Sequence, residues 1–392
     1  MTLSSDLGRT LLRPGAAACA GLLLPPPRPF CPAHRPTSSA SRTLMKTPTF
    51  PEQHELERIV GSASPYLSVR THCEVKTDGQ SFPVYSLSLG NTNAKVPTVG
   101  FFAGIHGLER IGTQVLLTYL QSLLARLEWD DLLHQQLANV RLVFMPLVNP
   151  GGMWRGTRCN PNGVDLMRNA PVEALEKVPF LLSGQRISPR LPWYRGLAAA
   201  PMEIESQAVC RVVEEELFAH DFSLTLDCHS GFGVQDRIWF PHAHTVVPIR
   251  HLAEVHALES LFDQTYPNHN YLFEPQSHQY LTHGDLWDHL YLRAATKAHR
   301  VFLPLTLEMG SWAWIKKSPR QLLSRLGIFN PLAAHRQQRV LRRHMLWLDF
   351  LTRAACGHQR WMPTGTLREQ HELAARTRWY KGPTNSKTSA VR

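Results

Sequence analysis

A histidine and a glutamate three residues apart can offer an imidazole nitrogen and a carboxylate oxygen to one divalent cation. The chain contains four such His-x-x-Glu pairs: His54/Glu57, His106/Glu109, His251/Glu254 and His256/Glu259. With 20 histidines in 392 residues a pair of this kind arises by chance, so spacing alone selects none. Context separates them. Three sit in polar, helix-like stretches, where an exposed i,i+3 pair is the ordinary outcome. His106-Gly107-Leu108-Glu109 instead follows the apolar run Val96–Ala103, which Gly104 ends. A loop at the carboxyl end of a buried strand is where open α/β sheets bind ligands. Two ligands there, with a third from the protein and a water, would make a catalytic Zn2+ site.

The third ligand expected is His229, which closes the run Leu224-Thr225-Leu226-Asp227-Cys228 and precedes the flexible turn Ser230–Gly233. His242 and His244 form a competing His-x-His after Pro241, without comparable strand context. Glu308 ends a further apolar run, Leu305-Thr306-Leu307-Glu308-Met309-Gly310. A carboxylate on a buried strand is costly unless it is used or paired. Beside an activated water it can take a proton and later return it to a leaving group.

These residues need a scaffold, and the hydropathy pattern supplies one. Strands are expected at 96–103, 140–148, 223–228 and 301–307, the second stopped by Asn149-Pro150-Gly151-Gly152. Helical spacing marks 112–127, 203–218 and 332–355. Strands alternating with helices predict a three-layer α/β/α sandwich.

Composition agrees. At 43% hydrophobic and 19% charged, the chain is neither disordered nor collagen-like, and no run is long and apolar enough for a transmembrane helix. Seven scattered cysteines are not a disulfide scaffold; they point to a reducing compartment and a cytoplasmic location. Of the net charge of +11, the first 45 residues carry +4 and the last 33 carry +5. The remaining +2 requires no nucleic-acid-binding face. Residues 1–45, rich in Pro and Arg, read as a leader outside the fold. Arg9, Arg13 and Gly15–Leu24 resemble a signal peptide, whereas a start at Met45 is the reading preferred. The expected organisation is a catalytic domain over 46–359 and a basic extension over 360–392, disordered at its end.

A fourth segment narrows the chemistry. Asn149-Pro150-Gly151-Gly152, then Arg158, then Gly163-Val164-Asp165-Leu166-Met167-Arg168-Asn169 resemble the signature of the zinc carboxypeptidase (carboxypeptidase A-like) family in its compact bacterial form. The resemblance runs from about Val96 to Gly310, with four motifs in the family's order. It implies a mixed central sheet and one Zn2+ held by His106, Glu109 and His229. It further implies Glu308 as general base and Arg158 as the oxyanion arginine, with Arg155 as the alternative. Arg168 would bind a substrate's terminal carboxylate, Asp165 would orient His106, and Tyr280 would cap the substrate. The expected partner is a small peptide or an N-acyl amino acid, the latter as in the related deacylase branch. One departure stands out. Met167 occupies the position of the family's asparagine, and a thioether has no hydrogen to donate to a carboxylate. Substrate selectivity is expected to draw on residues 235–314.

Overall fold

The structure, a computed structural model, describes residues 50–380. The leader, the alternative start at Met45 and the last dozen residues lie outside the described residues.

Eight strands form one mixed sheet: β1 (Ser68–Thr77), β2 (Gln80–Gly90), β3 (Thr98–Ala103), β4 (Arg141–Met145), β5 (Phe222–Ser230), β6 (Arg237–Phe240), β7 (Leu272–Pro275) and β8 (Val301–Met309). Their order is β1-β2-β4-β3-β5-β8-β6-β7. The central strands β4, β3, β5 and β8 run parallel, and antiparallel neighbours flank them on both sides. Strands β3, β4 and β5 are buried along their whole length, which explains why their sequences read as apolar runs rather than alternating ones.

Before the central strands lies α1 (Pro51–Gly61); α2 (Arg110–Arg126) follows β3, then α3 (Asp131–Leu137), and α4 (Pro150–Arg155) follows β4. Next come α5 (Ile204–Val212), α6 (Leu252–Thr265) and α7 (Leu286–Ala294). The C-terminal third adds α8 (Trp312–Lys317), α9 (Arg325–Phe329), α10 (Ala334–Cys356), α11 (His358–Trp361) and α12 (Gly365–Trp379). Alternate residues of β3 show the layering. Phe101 packs its ring against Tyr119 of α2 on one face, while Phe102 packs against Trp287 of α7 on the other. The expected α/β/α sandwich with a mixed sheet is what forms.

Two expectations change. The hairpin of β1 and β2 was not foreseen, because β1 is largely exposed and carries little apolar signal. Residues 365–379, assigned to the basic extension, form α12 and pack on α6, with Trp379 buried against Phe240. Here Arg368 pairs with Glu254 and Arg378 with Glu259, each at 2.8 Å. Two of the three His-x-x-Glu pairs expected to be solvent-facing are therefore covered: His251, Glu254 and Glu259 are buried. His54/Glu57 is exposed as expected.

Candidate active site

The site forms where β3, β4, β5 and β8 end. After β3, Gly104 turns the chain at positive φ and His106 and Glu109 follow in the loop before α2. Gly107 between them has no room for a side chain, since a Cβ there would meet the Gly152 carbonyl carbon at 2.1 Å. Asn149 fastens this loop to α4, donating to the Ile105 carbonyl at 3.1 Å and accepting from the Gly152 amide at 2.8 Å. The first turn of α2 takes no hydrogen bond from Glu109. Asn330 supplies one instead, accepting from the Ile111 amide at 3.0 Å and donating to the Leu108 carbonyl at 2.8 Å. Glu109 is thus free to face the sheet. Gly112, one turn into α2, lies against the Cys228 carbonyl, where a Cβ would come within 2.4 Å. That contact brings Glu109 to β5 and His229.

His106, Glu109 and His229 are buried, and one possible ligand atom from each lies within 4.8 Å of the others. The two Nδ1 atoms are 3.2 Å apart. Glu109 places Oε1 at 2.9 Å from Nδ1 of His106 and Oε2 at 3.0 Å from Nδ1 of His229. Each ring's Nε2 is taken by a carboxylate, Asp165 for His106 at 3.1 Å and Asp227 for His229 at 2.7 Å. Such pairing fixes ring orientation and leaves both Nδ1 atoms facing one point. Two imidazoles and a carboxylate converging there fit a zinc ion with a position left for water. This is the one group of three or more such residues found among the described residues. His242 and His244 do not compete: His244 is paired with Asp288, and Nδ1 of His242 is at 2.9 Å from the Val247 carbonyl.

The register of β5 and β8 sets His229 opposite Glu308. Glu308 accepts the Phe232 amide at 3.0 Å. Burial, reinforced by the Glu109 charge, pushes its carboxyl up to about 8. A dication at the triad would act against that shift. Burial disfavours charge on His229 too, yet the Asp227 and Glu109 carboxylates hold its pKa well above the usual histidine value.

Asp165 gathers the remaining charges. It accepts from Arg158 Nε at 2.9 Å, from Arg168 Nη1 at 3.0 Å and from the Met167 amide at 3.2 Å. Against the effect of burial, Arg158, Arg168 and His106 hold it well below the usual carboxylate range. Arg158 also donates to Glu109 at 3.3 Å, whereas Arg155 is turned away to Asp78 and the Pro161 carbonyl. Geometry thus separates two arginines that the sequence left open. Arg168 lies 5.9 Å from the centre of the Tyr280 ring. The eight residues to which the resemblance gives a first-choice role come together: His106, Glu109, His229, Glu308, Arg158, Arg168 and Tyr280 line one cavity of about 360 Å³, and Asp165 lies directly behind it. Met167, Trp239, Gln276, Asp285 and Thr306 are among the other residues that line it. Asp227 and Asn330 escaped the sequence reading; an aspartate inside an apolar strand was a signal for the first, and no local signal exists for the second.

A mixed sheet carrying a His-Glu-His triad at its strand ends places a candidate metal centre where open α/β sheets bind ligands. The zinc carboxypeptidase family profile matches residues 71–311, and the chain belongs to that family. Among curated proteins it is similar to Carboxypeptidase SOL1 of Arabidopsis thaliana, 29% identical over 93 residues, which are 23% of this chain. That match spans only 19% of the plant protein's length. Among solved structures it resembles thrombin activatable fibrinolysis inhibitor, with a TM-score of 0.58 at 16% identity, over 77% of this chain and 72% of the other. Carboxypeptidase A of Helicoverpa armigera gives 0.56 at 18% identity, over 77% and 71%. These likenesses speak for the fold.

Proposed function

We propose that the protein is a zinc-dependent hydrolase of peptide or related amide bonds, with one metal ion held by His106, Glu109 and His229. The observation that carries this is the convergence of both Nδ1 atoms and the Glu109 carboxylate on one buried point beside Glu308. Zinc, when bound, supplies Lewis-acid polarisation of the carbonyl and acidifies water towards neutrality. Glu308 takes the proton of the attacking water and returns it to the departing nitrogen. Arg158, fixed by Asp165, donates to the oxygen on which negative charge develops. Arg168 and Tyr280, adjacent on the cavity wall, bind and cover the substrate end.

Met167 favours a second reading. It is buried on the cavity wall where the family's asparagine would donate to a terminal carboxylate. An N-acyl amino acid offers a small acidic substrate for which Arg168 alone supplies the anchoring charge. Hydrolysis of a panel of free peptides, C-terminally amidated peptides and N-acyl amino acids, with and without chelator, separates the two. Cleavage of free peptides favours the carboxypeptidase, and cleavage of N-acyl amino acids alone the deacylase. Failure to hydrolyse any of them with zinc loaded contradicts both. We place the protein in the reducing cytoplasm; the five cysteines of the described residues are all unpaired.

A further inference from the structure

Between Glu308 and Asp349 the sequence contains no acidic residue and eight Lys or Arg residues. The small net charge of the folded body conceals this run. Lys316, Lys317, Arg320, Arg325, Arg339 and Arg342 are exposed and enter no ion pair among the described residues. Arg343 is paired with Asp236. Arg336 donates to the Trp314 and Lys317 carbonyls and to the Gln321 side chain, which seats the start of α10 against α8 and the turn after it. Arg339 follows Arg336 by three residues and Arg342 by six, both exposed, so the basic run continues along α10.

Large apolar side chains stand among these cations. Leu323 is 91% exposed, Leu332 55%, Leu322 49% and Trp312 45%. The Trp312 amide donates to the Gly233 carbonyl, which joins the exposed Phe232 and Val234 to the same surface. Single exposed leucines are ordinary; several of them interleaved with unpaired cations are a different pattern. Cations alone fit any polyanion. Leu323 and Trp312 choose between polyanions, because a nucleic acid backbone has no apolar layer to receive them. A bilayer accepts both kinds of group, cations at the headgroups and Trp or Leu at the acyl boundary.

We propose that the surface formed by residues 312–346 docks the protein on an anionic lipid bilayer. It lies on the membrane without crossing it; no described helix is long and apolar enough to span. Phe232 and Phe329 belong to the cavity lining, so docking holds the cavity mouth beside the bilayer. The proposal is independent of which amide is cleaved, since binding is read without turnover.

The test is sedimentation of the full chain with vesicles of phosphatidylcholine, or of phosphatidylcholine mixed with phosphatidylglycerol. Binding is expected to the second only, and to weaken with added salt. The triple variant Lys316→Gln, Arg320→Gln, Arg325→Gln should lose on the order of 100-fold in partition, at about fivefold per cation. Leu323→Ala, with charge unchanged, should lose about tenfold. All four positions are exposed and outside the cavity, so folding and hydrolysis of a soluble substrate stay as in the parent protein. The basic chain ends are present in every variant. Undiminished binding of the triple variant would therefore assign attraction to those ends and overturn the proposal. Loss in the triple variant without loss in Leu323→Ala, together with displacement by an oligonucleotide, would mark a nucleic acid face and overturn it equally.

Discussion

Nε2 of His229 lies 2.7 Å from Oδ2 of Asp227, and that same oxygen accepts the indole N–H of Trp287 at 2.8 Å. The two residues are i and i+2 on β5, so their side chains leave the same face of the strand. The aspartate holds the ring with Nδ1 turned to the triad, as Asp165 does for His106.

Asp227→Asn should weaken zinc affinity by about 10- to 100-fold while leaving the three ligands in place. Competition with a chromophoric chelator measures this. Affinity equal to that of the parent protein would show that burial alone orients His229.

Glu308→Gln should keep the metal and lose turnover on the order of 10³-fold, the usual contribution of a positioned base. Metal content and kcat are read on the same sample. Retained activity would remove Glu308 as base.

Met167→Asn restores an amide beside Arg168 within the cavity. KM for peptides with a free C-terminal carboxylate should fall by about 10- to 100-fold, with amidated peptides unaffected, the size of one hydrogen bond to a charged group. Equal effects on both substrate sets would place the terminal carboxylate elsewhere.

His344 is buried in α10, with Nδ1 at 2.8 Å from the Tyr271 hydroxyl. Burial first, then Arg343, lowers its pKa from 6.5 to about 4 against the opposing charge of Asp236. A folded-state pKa below the unfolded one gives stability that is present above 6.5 and lost as pH falls towards 4. Between about pH 7 and about pH 5 the loss should be roughly 2 kcal/mol. Urea unfolding of the parent protein and of His344→Gln at the two pH values tests it: the difference should be smaller by that amount in the variant.

Much of the site was legible because its chemistry sits at strand ends, and fully buried strands announce themselves as apolar runs. His106, Glu109, His229 and Glu308 could be placed from that context. Their mutual geometry could not, since it depends on the pairing of β5 with β8 and on Gly112 meeting Cys228. Asn330 acts on Ile111 across 219 positions of sequence, beyond any local pattern. The missed hairpin did carry a signal: Asp78-Gly79, both at positive φ, is a favoured two-residue turn. In α12 the basic composition hid the buried face that Trp379 and Ala375 form. Net charge also misled in the body, where the acid-free run after Glu308 averages out against acidic residues elsewhere.

The central claim is that His106, Glu109 and His229 hold a catalytic zinc ion. Elemental analysis of the purified protein, paired with amide hydrolysis before and after chelation, tests it most directly. One zinc per chain is expected, with activity lost on chelation, restored by zinc, and both metal and activity absent in His229→Ala. Stoichiometric zinc that survives in His229→Ala, or hydrolysis unaffected by complete metal removal, would contradict it.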